Sequence, residues 1–350
     1  MEFYAFVIPG LEEIAGQEIV ERFGAQLGGH RRGIVLFTWD GDPAALLGLT
    51  TTEDVFALVG RGKVSTEREG LEEAGLLVAD SPLFEEAVSA HRRARPKKVK
   101  RISFRVVAQR HGGRQHYMRK EMRKEMERAV SWRFPKWKRL DEDALIEVWD
   151  LEAGSELLVG VRLSDRTMRH RTYKEAQIEA SLRPTLARAM VRLAEPADGD
   201  VFLDPMCGAG TILIERGEYG RYSQLLGGDI RAQAVAATRT NIGPRYNPIE
   251  VREWDAGSLP LDEGSVDRVV CNLPFGKKVG EPREMRSLYE RFVSEVDRVL
   301  KSGGAAVLLT SERKILELAL RETKMLYLER LMPVEVLGQR AFFFKLKKAT

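Results

Sequence analysis

Two cysteines and five histidines among 350 residues leave little material for the chemistries that depend on them. Cys207 and Cys271 stand in different segments without metal-ligand spacing, so neither a disulfide framework nor a zinc site is expected, and both read as reduced thiols. His111, His116 and His170 also lack ligand spacing; no metal and no catalytic role is assigned to them. No stretch reaches the roughly 18 uncharged apolar residues of a membrane span. Met1-Glu2-Phe3-Tyr4 is not a basic start to a long apolar run, so a cytoplasmic location is expected. Internal repeats and low-complexity tracts are missing as well.

What is present is enough hydrophobic material, 43%, for at least two cores, and the length suggests two or three domains. The net charge of +4 hides a strong asymmetry. Residues 1–90 carry 6 Lys/Arg against 16 Asp/Glu, a net of −10, whereas residues 91–139 carry 19 against 3, a net of +16. A block of that kind attracts polyanions, because each Lys or Arg that neutralises a phosphate releases a condensed counterion. Nucleic acid is the leading candidate partner.

Hydropathy patterning predicts a small α/β unit at the start, with strands at Phe3–Ile8 and Ile34–Trp39 and a helix at Leu11–Phe23. A mixed region follows, from about Gly60 to Arg166. It has a helix ending near His91, a strand at Ile102–Ala108, a charged helix at Met118–Phe134, and strands at Leu145–Trp149 and Leu157–Leu163. Glu175–Leu193 reads as a connecting helix. Beyond Pro196, short apolar strands alternate with amphipathic helices, as in a parallel doubly wound sheet. The strands are expected at Val201–Asp204, Leu225–Asp229, Ile249–Trp254, Val266–Asn272 and Ala305–Thr310. Tyr327–Val336 and Arg340–Lys347 lie too close together for a helical crossover and should pair as an antiparallel hairpin.

Asp204-Pro205-Met206-Cys207-Gly208-Ala209-Gly210-Thr211 follows one of these strands and opens a helix, where Gly208 and Gly210 permit a tight bend and close approach of a ligand. Gly-x-Gly alone is shared with dinucleotide sites and with plain strand-to-helix turns. The carboxylate of Asp204 narrows the choice. It would repel a pyrophosphate, whereas S-adenosylmethionine brings a sulfonium and an ammonium group that it favours. Asp229, 25 residues later, ends the next strand, where a carboxylate can accept from both ribose hydroxyls, and Asp255 follows the third strand, in place for the adenine amine. Helix capping explains any one such aspartate but not three at successive strand ends. The expected cofactor is S-adenosylmethionine, held by Asp204, Cys207, Gly208, Gly210, Thr211, Asp229, Asp255 and Asn272.

The fourth strand ends in Asn272-Leu273-Pro274-Phe275-Gly276, which resembles the Asn-Pro-Pro-Tyr motif of amine methyltransferases. An exocyclic base amine has its lone pair conjugated with the ring, so acceptors must hold its hydrogens while the lone pair turns toward the methyl carbon. The catalytic residues are therefore read as Asn272 (side-chain oxygen), Leu273 (carbonyl), Pro274 (stiffening) and Phe275 (a face for an extruded base). A turn closing a buried strand is the plainer alternative. Cys271 does not suit the cysteine nucleophile of cytosine C5 methyltransferases, which follows the proline; it precedes Asn272 inside an apolar strand.

Met118, Met122, Met126 and Val130 recur at helical spacing with Arg119, Lys120, Arg123, Lys124 and Arg128 around them. A solvated amphipathic helix would account for that alone. Arg92, Arg93, Arg95, Lys97 and Lys98, with Arg110, Arg114, Lys136 and Lys138, add more like charge than a surface tolerates without an anion, so RNA phosphates are the expected partner.

Together these features resemble the THUMP-domain RNA guanine-N2 methyltransferases. Pro9-Gly10-Leu11-Glu12-Glu13-Ile14 is similar to that family's N-terminal signature. Ser103-Phe104-Arg105-Val106 and Leu157–Leu163 are similar to THUMP strands, and Arg171-Thr172-Tyr173-Lys174 through Ala180-Ser181-Leu182-Arg183-Pro184 to its linker. The resemblance implies an α/β chain with a ferredoxin-like segment at 1–59, a THUMP RNA-binding domain at 60–166 and a linker helix at 167–195. A class I Rossmann-like methyltransferase domain at 196–350 would follow. It also implies a monomer that grips the acceptor end of tRNA. Asn272 through Lys278 is similar to members making N2-methylguanosine at the sixth nucleotide of tRNA; Asn stands at 272 where some relatives have Asp, which leaves the proton acceptor open. Methylation of another tRNA guanosine, of ribosomal RNA, or of a protein glutamine, and RNA binding without catalysis, are the rival readings.

Overall fold

The computed structural model describes residues 1–176, 178, 181–275 and 282–350. They form two compact units, one of Met1–Phe6 with Glu18–Met168, the other of Val7–Gln17 with Arg169–Thr350. In chain order the first unit holds β1 (Glu2–Phe6), the end of α1 (Glu12–Phe23), β2 (Gln26–Arg31), β3 (Ile34–Thr38), β4 (Asp54–Lys63), α2 (Glu69–Ala79), α3 (Phe84–Ala94), β5 (Ser103–Arg110), α4 (Arg119–Arg133), β6 (Lys138–Arg139), β7 (Ile146–Ala153) and β8 (Glu156–Arg162). One sheet of order β2-β3-β1-β4-β8-β7-β5-β6 runs through all of it. Period-two alternation sends Tyr4, Phe6, Phe56, Leu58, Trp149 and Leu151 into one core. Tyr4 stacks on Phe56 with ring centroids 4.7 Å apart. On α4, Met122, Met126 and Val130 are buried while their basic neighbours face water, so the methionine stripe is a packing stripe.

Two expectations change here. The division after residue 59 falls inside β4, whose pairing with β1 on one side and β8 on the other makes a single sheet of the two expected segments. Strand β2 was not anticipated. Every residue in it is exposed, and as an edge strand paired only to β3 it has no apolar alternation to betray it.

The second unit contains α5 (Pro184–Leu193), β9 (Val201–Asp204), α6 (Thr211–Gly217), β10 (Gln224–Asp229), α7 (Ala232–Ile242), β11 (Ile249–Glu253), β12 (Val266–Asn272), α8 (Pro282–Val299), β13 (Leu300–Thr310), α9 (Arg313–Leu320), β14 (Leu326–Val336) and β15 (Gln339–Lys348). Its sheet has the order β11-β10-β9-β12-β13-β15-β14. The first five are parallel and the last two form the expected antiparallel hairpin. β9, β10, β12 and the second half of β13 are largely buried, mostly apolar runs, whereas the edge strand β11 buries Val251 alone.

The connecting helix is shorter than expected. Of its described residues, only Pro184–Leu193 are helical; Arg183 is extended (φ −68°, ψ 139°), since a residue before proline is kept out of the helical region while Pro184 itself suits the first helical position. Gln177, Glu179 and Ala180 of the expected helix and linker lie outside the described residues. The segment before α5 is held by side chains instead: the Tyr173 hydroxyl donates to Glu215 at 2.7 Å, and Arg188 donates to the other oxygen of Glu215 at 2.6 Å.

Val7–Gln17 belongs to this second unit. Glu335 N–H donates to Pro9 O at 2.9 Å, and Glu13 pairs with Arg330. Gly10 has φ +103°, and a Cβ there would overlap the carbonyl oxygen of Pro333. The Pro9-Gly10-Leu11 signature thus has a physical account: only glycine combines that backbone with that approach. Among the described residues, no helix is long and apolar enough to cross a membrane. Gly10→Ala should lower the stability of the second unit by about 2–3 kcal/mol. Calorimetry should register this as a transition several degrees lower.

Candidate active site

Parallel strands end at one edge of their sheet, and β9, β10 and β12 are immediate neighbours, with Gly227 opposite Asp204 and Val269 opposite Leu203. Asp204, Asp229 and Asn272 therefore meet at the carboxyl edge. The loop after β9 bends through Gly208 (φ +56°) and Gly210 (φ +77°), left-handed positions that disfavour a side chain. Its carbonyls are pinned from α7 and from the end of β11. Thr238 Oγ1 donates to Gly208 O at 2.8 Å, Asn241 Nδ2 to Ala209 O at 2.9 Å, and Trp254 Nε1 to Pro205 O at 3.0 Å. The Asn241 side chain also accepts from Ala176 N–H at 2.8 Å and donates to Ala176 O at 2.9 Å, tying the linker to the same loop. Thr238, Asn241 and Trp254 were missed in the sequence. Their signal was two polar residues three apart on the buried face of α7, which reads equally well as helix capping or solubility.

Asp204 is 1% exposed and among the described residues receives only the Met206 N–H, at 3.4 Å. Burial, outweighing that hydrogen bond and joined by nearby Asp229, pushes its carboxyl well above the usual carboxylate range. Asp229 accepts from Gly208 N–H at 3.2 Å and from the backbone N–H and the Nε of Arg231, at 3.0 and 3.1 Å. Ile230, beside it, is 67% exposed and offers an apolar face that sequence reading did not single out. Asp255 reaches the third strand end, but both its oxygens are engaged, by Gly257 N–H and by Arg291, each at 2.8 Å. Arg291 holds its carboxyl below the ordinary value and competes with the expected adenine amine. Thr211 is buried at the start of α6, and Cys207 packs in the loop. Burial raises the thiols of Cys207 and Cys271 away from ionisation, which accords with two inert, packed side chains.

At the end of β12 the side-chain oxygen of Asn272 is buried and has no hydrogen-bond partner among the described residues. An orphan acceptor of this kind costs stability unless something donates to it. Leu273 buries its side chain in the core beside Leu203, Trp254 and Tyr289, which explains an aliphatic residue where relatives of the motif carry proline. Its N–H donates to Leu309 O at 2.9 Å. Pro274 and Phe275 are partly exposed. Gly276, Lys277 and Lys278 lie outside the described residues.

The basic block becomes two groups in the first unit. Arg92, Arg93, Arg95, Lys97 and Lys98 follow α3 to the amino end of β5, where Lys136 and Lys138 join them through the β5–β6 pairing. Arg110, Arg114, Arg119 and Lys120 lie at the other end of β5, roughly 25 Å away for an eight-residue strand. Arg123 follows on α4. Three of these residues are engaged internally: Arg110 with Glu152 at 2.8 Å, Arg123 with Glu127 at 3.7 Å, and Arg95 with Asp165 at 3.7 Å. The other nine are exposed and make no ion pair among the described residues. Near the first group, Phe134 and Trp137 stack with centroids 4.0 Å apart, and Trp132 is 69% exposed.

A doubly wound sheet with a terminal antiparallel hairpin, a glycine-bent loop after an under-satisfied buried carboxylate, and an orphan amide oxygen at the fourth strand end fit a cationic adenosyl cofactor. They define a class I methyltransferase domain that uses S-adenosylmethionine. Residues 171–336 match the family described as UPF0020: RMKL-like, methyltransferase domain. The chain is 33% identical to the bovine (Bos taurus) tRNA (guanine(6)-N(2))-methyltransferase THUMP3, over 63% of this chain and 46% of that protein. It is 32% identical to the Thermus thermophilus tRNA (guanine(6)-N2)-methyltransferase, over 48% of this chain and 50% of the other. It thus spans about half the length of the curated relatives it matches. The crystal structure of TrmN from Thermus thermophilus superposes with a TM-score of 0.81 at 26% identity, covering 99% of both chains. A methyltransferase solved in complex with SAH shares the fold, with a TM-score of 0.73 at 14% identity over 98% of this chain and 97% of that one. The resemblance drawn from the motifs is borne out.

Asp204, Asp229, Ile230 and the Gly208–Gly210 bend would hold the cofactor, which supplies an electrophilic methyl group. Because a cationic ligand favours the ionised form of a carboxyl whose value is raised, binding should release a proton. Affinity for S-adenosylmethionine should then rise as the pH rises through the raised value of the Asp204 carboxyl. Titration calorimetry in buffers of different ionisation heat measures this, and in Asp204→Asn binding should be weaker and its pH dependence flat.

Proposed function

We propose that the chain transfers a methyl group from S-adenosylmethionine to the exocyclic amine of a guanine in tRNA, making N2-methylguanosine, with the sixth nucleotide of the acceptor stem as its target. The observation that carries this reading is the buried oxygen of Asn272 at the carboxyl edge of the sheet, which has no partner among the described residues. Asn272 Oδ1 and the Leu273 carbonyl accept the two amine hydrogens, which turns the nitrogen lone pair out of conjugation and toward the methyl carbon. Phe275 supplies a surface for the extruded base. No general base is needed before transfer, since the attacking amine is already neutral.

Residues 60–166, continuous with the N-terminal segment through their shared sheet, act in this reading as the THUMP region that grips the RNA. The exposed cations contact phosphates, and the aromatic residues near Lys136 suit unpaired bases. The names of the bovine and Thermus thermophilus relatives support tRNA over other RNAs and the sixth nucleotide over other guanosines. A tRNA substrate accords with a cytoplasmic location and needs only one copy of the chain.

Incubation with unmodified total tRNA and radiolabelled S-adenosylmethionine, followed by nucleoside analysis, should give labelled N2-methylguanosine. Label in ribosomal RNA or protein, with none in tRNA, would overturn the substrate. Asn272→Ala should lower kcat by about a hundredfold or more while RNA affinity stays within about twofold. Lys97→Glu with Lys98→Glu should do the reverse, weakening RNA binding about tenfold and reducing the slope of log affinity against log salt by about two.

A further inference from the structure

The loop that carries Asn272 is tied down from two other elements. Tyr289, fully buried on α8, donates its hydroxyl proton to Pro274 O at 2.9 Å, and its oxygen lies 2.7 Å from Oγ1 of Thr310, the last residue of β13. Thr310 Oγ1 in turn accepts from Glu312 N–H at 2.8 Å. Each hydroxyl has one proton, so the direction of the chain is fixed: Glu312 N–H to Thr310 Oγ1, Thr310 O–H to Tyr289 Oη, Tyr289 O–H to Pro274 O. Around Tyr289 the core is apolar, with Leu273, Met285 and Phe292 in the same cluster, and a phenylalanine would fill the ring's space without a polar atom to satisfy.

The proline ring sets φ at 274, and the Tyr289 hydrogen bond sets where the carbonyl that follows points. On the other side, Leu273 N–H is held by Leu309 O, one residue before Thr310. The Leu273 carbonyl therefore sits between two pinned points, and the neighbouring Asn272 oxygen is left as the unpartnered acceptor. We propose that Tyr289, seated by Thr310, is a positioning residue that fixes the Leu273–Pro274 peptide and thereby orients the two acceptors that hold the base amine. This rests on the reading of Asn272 and Leu273 given above. Burial raises the phenol far from ionisation, so Tyr289 remains a donor across the whole working pH range.

Tyr289→Phe removes only the hydroxyl. Its kcat should fall about tenfold or more, with KM for RNA and Kd for S-adenosylhomocysteine within about twofold of wild type. Thr310→Val should lower kcat in the same sense, Thr310→Ser should restore the rate lost in Thr310→Val, and the double variant with Tyr289→Phe should lose no more than Tyr289→Phe alone. Independently of activity, hydrogen exchange at the Leu273 and Phe275 amides should quicken about tenfold in Tyr289→Phe while the rest of the second unit keeps its protection. Unchanged exchange at these amides, or a loss confined to KM and cofactor affinity with kcat intact, overturns the proposal. Wild-type protein that methylates no RNA would overturn the reading of Asn272 instead, and the exchange result would still decide the role of Tyr289.

Discussion

Parallel pairing of β9, β10 and β12 is the constraint on which the site depends. Backbone hydrogen bonds in a parallel ladder align strand ends, so an acid at 204, an acid at 229 and an amide at 272 come to one edge although the chain between them forms two helices and another strand. Everything else at the site is secondary to that alignment. Thr238, Asn241 and Trp254 pin the carbonyls of the first loop, and Tyr289 pins one in the fourth. The sheet supplies position, and these side chains remove the freedom that loops retain.

Electrostatics works differently in the two units. In the catalytic unit, the carboxylate at the centre is kept short of partners: Asp204 has a single distant N–H, and its charge is costly until a cation arrives. In the first unit, acids from distant segments neutralise part of a run that looks uniformly basic. Arg105 pairs with Glu147, Arg133 with Glu85, and Arg139 with Glu127 and Asp141. What is left is a set of solvated cations at two ends of one strand. Solvated cations contribute to binding through counterion release without the desolvation penalty of buried ones.

The central parallel strands were legible because β9, β10, β12 and the second half of β13 are largely buried, mostly apolar runs, and the Asp204 loop and Asn272 motif because their residue types are dictated by chemistry at fixed strand ends. Strand β2 was not legible, since its exposed Gly-rich residues carry no pattern and only the β3 partner makes it a strand. The overlong connecting helix came from reading hydrophobic spacing through Pro184, where the preceding residue resists helix. The boundary at 59, implied by the resemblance, falls inside β4, which continues across it. Tyr289 and Thr310 gave no sign at all. A buried tyrosine on an amphipathic helix and a threonine at a strand end are ordinary until the fold brings them together.

The N-terminal segment Val7–Gln17 sets the order in which the chain can be completed during synthesis. The first unit can close once residue 168 has emerged, but its own chain leaves it at Val7 and returns at Glu18. The excursion between has its partners near Arg330 and Glu335, and the Glu13–Arg330 pair spans 317 positions. That small piece therefore lacks these partners until residues 330–335 have been made. Until the last hairpin forms, β13 also presents an open edge to neighbouring chains. The second unit is in this sense one of high contact order, and the docking of Val7–Gln17 waits on the strand that carries Arg330 and Glu335.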